Sequence, residues 1–466
     1  MSYLQKEVIA LYGWVAFLDN LYVFGRRAVS FLFALLMGWT GLGLTPLEIA
    51  GPAAILGTAR ETKYDAEALL FGAYCYYGNN DNNLLAQYAV EAGLDFLCGV
   101  PANTAVLDAF EANGLAAFLQ QVGVPSDAIL DHPAVWGVDI KDEPRIAEFP
   151  TVLAAQAALE ATGKPVTAFL NLMPPGCGAD HYYEADTPDQ NDAWYWGILG
   201  NFIPISSLNM HVINYQRYIG AYISTFDTDH VCYDGYPLKV DDDGTAYTES
   251  VWLRCLYDLA NAAHGTGRNF WAIIQGSTGK FADKPQTADR VAGVSQQVYA
   301  NLALGANKII YACYKGGWFG SDYHMINDAG ERTADYYAVQ QVTQNAAPIQ
   351  AVFSNYKWVG TYTENWHKCA GLEFDIPADL DADKQLPLAT DDGLFIGRFD
   401  AKDGLGGKAF VITNQMPLES PRSANFTVYF ESDATVYTDG QTLSYPAGEY
   451  NLTLSPGNGM FITLAA

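Results

Sequence analysis

Between residues 69 and 318 a short, nearly unbroken apolar run recurs eight times, in most cases with an amphipathic stretch behind it. The runs are "LLFGAYCYYGN" (69–79), "LDFLCGV" (94–100), "LAAFLQQ" (115–121), "AVWGVDIKDEP" (134–144), "PVTAFLNLMPP" (165–175), "HVCYDGYPL" (230–238), "NFWAIIQGS" (269–277) and "KIIYACYKGGW" (308–318). Runs this short and this apolar fit strands covered on both faces, as in a parallel sheet. Several intervening helical stretches stop at a glycine (Gly93, Gly114, Gly163, Gly305), the residue a helix C-terminus prefers. Eight such units predict a (β/α)8 TIM barrel over residues 66–349. A doubly wound sheet is the alternative, but no Gly-rich phosphate loop follows any of the runs.

Beyond residue 350 the pattern changes to short alternating segments with Gly, Asp and Asn at the turns: "LFIGRFD", "KAFVITNQ", "NFTVYFE", "ATVYTDG" and "YNLTLSPGNGMFITL". These predict a small all-β sandwich over 350–466. Residues 1–65 form an apolar extension. Its segment 24–44, "FGRRAVSFLFALLMGWTGLGL", has two arginines before an apolar stretch, like a signal-peptide core or a short anchor. An exported or membrane-anchored location is therefore expected over a cytoplasmic one, with membrane contact through 24–44. Two apolar helices packed on the domain are the other reading, because a signal normally begins nearer the first Met.

Composition narrows the function. The net charge of −27 argues against nucleic acid, which needs a basic face. Ten Trp and 30 Tyr suit a protein that stacks on sugar rings, although aromatics also simply fill large cores. Cys75, Cys98, Cys232 and Cys313 all fall inside apolar runs and read as buried single thiols. Neither a CxxC nor a His/Cys group at metal-ligand spacing is present, so neither cofactor nor metal is expected.

In a TIM barrel, chemistry happens where the strands end. The strand ends here offer Tyr76, Tyr77 and Asn79; Asp139, Asp142 and Glu143; Asn171; Asp234 and Tyr236; Gln275; and Tyr311, Tyr314, Lys315 and Trp318. This set is rich in carboxylates and aromatics and poor in His and Cys. It suits glycoside hydrolysis, which needs one protonated and one ionised carboxyl across the scissile bond. Glu143 and Asp234 are the expected catalytic pair, with Glu143 as general acid. Tyr76, Asn79, Asp139, Asp142, Asn171, Tyr236, Gln275, Tyr314 and Trp318 are the expected sugar ligands. Each has a bland reading. Glu143 would serve as a helix N-terminal carboxylate, Asp142 as a cap, Asp139 as a partner of Lys141 and Asp234 as a turn residue.

The pieces "VWGVDIKDEP", "CYDGYPL", "FWAIIQGS" and "LALGANKIIYACYKGGW", with the C-terminal "YNLTLSPGNGMFITL", resemble the clan A glycoside hydrolases of the β-galactosidase type, including uncharacterised gut-bacterial members. The resemblance implies a carbohydrate substrate. It also implies that Glu143, following strand 4, takes the place of that clan's acid/base glutamate. The clan's nucleophile is a glutamate ending strand 7, where this chain has Gln275. Asp234 or Asp139 as the second carboxylate, or a barrel that binds sugar without cutting it, are the ways to accommodate that departure.

Overall fold

The computed structural model describes residues 62–77, 81–120, 123–174, 207–240, 246–249, 251–277, 289–317, 323–372, 380–402 and 406–466. Asn79, Trp318 and the apolar segment 24–44 lie outside them. Among the described residues no helix is long and apolar enough to cross a membrane.

All eight apolar runs form strands: β1 Leu70–Tyr76, β2 Phe96–Val100, β3 Ala116–Leu119, β4 Val135–Asp142, β5 Thr167–Leu172, β6 His230–Gly235, β7 Asn269–Gln275 and β8 Ala306–Lys315. They pair in parallel, each with its sequence neighbours, and β1 pairs with β8 to close the barrel. The connecting helices are α1 Asn82–Glu91, α2 Thr104–Ala112, the short α3 Asp127–Leu130, α4 Phe149–Glu160, α5 Ser207–Thr225, α6 Trp252–Gly265, α7 Arg290–Ala303 and α8 Ala334–Phe353. Asp81, Asn103 and Asp289 cap α1, α2 and α7 by accepting backbone N–H bonds from the first turn. The four glycines that follow helices have φ between 66° and 81°, the left-handed turn that ends a helix cheaply only with glycine.

Alternation along the strands separates two environments. Phe71, Ala73, Leu97, Val231, Tyr233 and Ile274 face outward into the core beneath the helices. Tyr74, Phe96, Phe118, Phe169, Cys232, Trp271 and Ile310 fill the inside of the barrel. The end from which the strands start is plugged. Tyr64 stacks on Trp136 at 4.9 Å between ring centroids, and its hydroxyl bonds Thr167 at 2.9 Å. Lys308 Nζ donates to the carbonyls of Ala66 and Ala68 and lies 5.6 Å from the Tyr64 ring centroid. His230 stacks on Trp271 at 3.9 Å. With that end filled by described residues, the end where the strands finish is the side from which a ligand would approach.

The C-terminal module is a sandwich. Its six-stranded sheet holds β9 Tyr356–Glu364, β11 Leu394–Ala401, β12 Lys408–Asn414, β14 Ala434–Thr438, β15 Gln441–Tyr445 and β17 Gly459–Leu464. Facing it is a sheet of β10 Leu388–Thr390, β13 Ala424–Phe430 and β16 Gly448–Leu454. Ile396, Phe410, Ile412, Val428, Phe430 and Ile462 fill the space between. The other face of the larger sheet lies on α7 and α8 through Phe353, Phe399, Val411 and Phe461. The approach is close enough that a Cβ on Gly397 would stand 1.9 Å from the Ala303 carbonyl oxygen. The last apolar segment of the sequence, "YNLTLSPGNGMFITL", is two strands with a turn between them. The change of pattern read at residue 350 falls within the end of α8.

Candidate active site

β4 delivers its acidic end through a sharp turn. Asp139 is buried inside the barrel, and Tyr74 of β1 donates its hydroxyl to Asp139 Oδ2 at 2.7 Å. Lys141 does not pair with Asp139; it reaches Glu148 at 3.2 Å instead. Asp142 accepts from Asn171 Nδ2 at 2.9 Å, across the β4–β5 pairing. Glu143 then turns the chain at φ 46°, a left-handed conformation unfavourable for a side chain with a Cβ. Its N–H donates to the Asn171 carbonyl at 3.1 Å. The Tyr218 hydroxyl clamps the next residue by donating to the Pro144 carbonyl at 2.7 Å. The N-terminal carboxylate of the following helical turn is Glu148, which accepts from the Arg145 N–H, so Glu143 is not used there.

From β6 comes Asp234, 3% exposed. Its carboxyl meets that of Glu143 in a hydrogen-bonding contact. Two carboxyls can hydrogen-bond only if one carries a proton. Burial and the charges of Glu143 and Asp142 hold Asp234 well above the usual carboxylate range, while the Tyr236 hydroxyl beside it pulls the other way. Burial thus pushes Asp234 toward its protonated form. Burial also raises Asp142, against the pull of Asn171 and Lys141. Burial, with the Asp142 charge, pushes Asp139 up to about 7.

The remaining sequence candidates divide. Asn171 and Tyr236 border the cluster. Tyr76 does not: it is 1% exposed, bonds Asn82 Oδ1 at 2.7 Å and packs edge-on against Phe110 in the helix layer. Tyr314 likewise faces outward, with its hydroxyl on the Leu85 carbonyl. Both corrections follow from a break in strand alternation: Cys75 (φ 68°) and Cys313 stay on the barrel side beside Tyr74 and Ala312, so Tyr76 and Tyr314 turn outward. Gln275 is also corrected as a sugar ligand. Its Oε1 accepts from the Leu238 N–H at 2.7 Å and its Nε2 donates to the Leu238 carbonyl at 3.2 Å. The amide is spent on holding the segment that follows Asp234 and Tyr236. The position expected to carry a nucleophilic glutamate is a structural clasp.

Two residues at the site were not among the expected ligands. Tyr74, two positions before Tyr76 in β1, is the donor to Asp139. Tyr77, just past β1, is 51% exposed, and the charges of Asp142 and Asp139 act on its phenol. Behind it, the buried thiols of Cys75 and Cys313 hydrogen-bond each other. The place of both tyrosines at the acidic rim of β1 was the available signal.

Among the described residues one group has metal-ligand geometry, Asp108, Glu111 and His132, on the outer surface. His132 Nδ1 accepts from the Ala134 N–H at 3.2 Å, which leaves the ring proton on Nε2 facing Asp108. A metal would need that nitrogen's lone pair, so the group reads as a hydrogen-bonded surface cluster.

No protein-family model matches the chain, and no curated protein matches it. Among solved structures it is similar to one titled glycoside hydrolase, with 9% identity and a TM-score of 0.49, covering 89% of this chain and 99% of that one. It is also similar to α-galactosidase I from Mortierella vinacea (10% identity, TM-score 0.42, 86% and 98% covered). A third is the α-galactosidase from Saccharomyces cerevisiae (11% identity, TM-score 0.42, 88% and 100% covered). These are likenesses of chain trace; the barrel itself stands on its closed strand pairing.

Proposed function

We propose that the protein is a glycoside hydrolase whose chemistry is carried by Asp234 and Glu143. The observation that carries this reading is the hydrogen-bonding contact between their two carboxyls, one of them buried, at the end of the barrel where the strands finish. A glycosidase needs one neutral and one ionised carboxyl, and a buried like-charged pair supplies both at neutral pH. On sequence grounds the acid role fell to Glu143. The burial of Asp234 favours the reverse assignment.

In this scheme Asp234 gives its proton to the leaving oxygen as the bond from that oxygen to the anomeric carbon breaks. Glu143 supplies the electron pair to the anomeric carbon, either directly or through a water whose proton it takes. In the direct route water then displaces Glu143 from the anomeric carbon and gives a proton back to Asp234; in either route water's oxygen ends on the released sugar. The contact in the free protein is shorter than the about 5–5.5 Å of a retaining pair or the about 6.5–9.5 Å of an inverting one. Substrate must therefore part the two groups. Glu143, on a turn and partly exposed, is the one that swings; Asp234 is fixed in β6.

A second reading, a barrel that binds sugar without cutting it, is favoured by Gln275, because the seventh strand brings no carboxylate to the site. Incubation with a panel of α- and β-linked glycosides, with released sugar quantified, separates the two. Release by the wild type that is lost in Asp234→Asn supports the hydrolase. Saturable binding without release from any bound glycoside supports the second reading.

A further inference from the structure

The end of the barrel where the strands finish carries two features that the Glu143–Asp234 contact does not use. The first is the Tyr77 ring. It lies on the backbone of Gly316, where a Cβ would come within 2.4 Å of its Cδ2. Only a glycine there, at φ 82°, leaves room for the Tyr77 side chain against the backbone. The ring is nevertheless 51% exposed and within the electrostatic reach of Asp139 and Asp142. A half-exposed tyrosine held against the backbone at Gly316 and within reach of Asp139 and Asp142 has the features of a stacking platform rather than of a core residue.

The second feature is a set of acceptor oxygens. Asp139 Oδ1, Asn171 Oδ1 and Asp234 Oδ1 are buried, and none has a hydrogen-bond partner among the described residues. The three residues are 2%, 1% and 3% exposed. A buried acceptor left unpaired has lost its water without replacement, so a ligand that donates to it is strongly favoured. Asn171 Oδ1 can only accept, and Asp139 Oδ1 and Asp234 Oδ1 accept whenever they do not carry the carboxyl proton. The carboxylates outnumber the cations here, and Lys141, which acts on Asp139 and Asp142, is itself paired with Glu148. Arg145 acts on Glu148 as well, and Lys315 Nζ donates to the Asn327 carbonyl at 3.3 Å.

We propose that this end of the barrel holds an uncharged pyranose, with one apolar ring face on Tyr77 and its hydroxyls donating to Asp139, Asn171 and Asp234, and that it rejects sugars bearing a carboxylate or sulfate. The assignment rests on the carbohydrate part of the proposed function but not on catalysis. An anionic sugar would bring its charge against Asp142 and Glu143 and would offer these acceptors no donor at that position.

The test is binding, measured apart from turnover. The full chain is applied to a printed array of neutral, uronate-bearing and sulfated glycans, and affinities for the neutral ligands found are measured by calorimetry. Binding to neutral glycans about 100-fold tighter than to their uronate counterparts is expected. Tyr77→Ala is expected to weaken that binding about tenfold, and Tyr77→Phe to restore it. Equal binding of uronates, unchanged affinity in Tyr77→Ala, or no binding to any neutral glycan would overturn the proposal. Neutral-selective binding without any product release would leave it standing while removing the hydrolase reading.

Discussion

Glu143, on the turn after β4, and Asp234, buried at the end of β6, bring their carboxyls into hydrogen-bonding contact. The contact depends on three things: the left-handed turn at Glu143, the Tyr218 clamp on Pro144, and the Gln275 clasp on Leu238. Each can be perturbed separately.

Asp139 provides a pH signature of stability. Its carboxyl is raised in the folded protein to about 7, from an ordinary value near 3.8. Between those values the folded state holds a proton that the unfolded state has lost. For this group alone, stability therefore falls from pH 4 to pH 7, by about 1.4 kcal/mol for each pH unit crossed. Asp139→Asn removes this dependence and keeps an acceptor for Tyr74. Thermal unfolding should show the variant with a higher Tm than wild type at pH 8 and no advantage at pH 4. A gain of equal size at both pH values would contradict the assignment.

Tyr74→Phe removes the hydrogen bond that favours ionised Asp139. The Asp139 carboxyl should then titrate at still higher pH, which carboxyl resonances in a carbon-13 NMR titration would report. An unchanged or lowered midpoint would show that the bond does not act on the charged form.

Gln275→Glu would restore the carboxylate that a strand-7 nucleophile needs, yet no gain of activity is expected. A carboxylate cannot donate to the Leu238 carbonyl, so one half of the clasp becomes a repulsion. Urea unfolding should show a loss of about 1–3 kcal/mol. A variant at least as stable as wild type and more active would mean that the strand-7 position is catalytic after all.

The barrel and the sandwich should unfold together. Gly397→Ala drives a Cβ into the Ala303 carbonyl, with backbone on both sides of the clash. A destabilisation of about 1–3 kcal/mol or more is expected, in a single transition followed by both aromatic fluorescence and circular dichroism. Two separated transitions would show that the seam does not couple the modules.

The barrel was legible because its signal is repeated. Eight apolar runs of strand length, each separated by a helix-length stretch or loop, leave little topological choice. The first and third strands of the small sheet were not legible as separate elements. Leu388–Thr390 is too short to alternate, and "YNLTLSPGNGMFITL" hides its turn inside a continuous strand-like pattern. At the site, Asp142, Glu143 and Asp234 could be placed at strand ends from sequence. Which of Tyr76 and Tyr77 is buried under the helices could not, because the backbone at Cys75, φ 68°, departs from regular alternation. The deeper burial of Asp234 relative to Glu143 was also hidden, because burial at a strand end is a property of the loops and neighbours around it.

The division of labour between the two carboxyls is tested most directly by varying the leaving group. Aryl glycosides with activated leaving groups need little protonation, whereas alkyl glycosides need it fully. With Asp234 as the acid, Asp234→Asn should lose about 10²–10⁴-fold in kcat on alkyl glycosides and far less on dinitrophenyl glycosides. Glu143→Gln should lose comparably on both. A leaving-group dependence confined to Glu143→Gln, or near-normal turnover in both variants, would contradict the account.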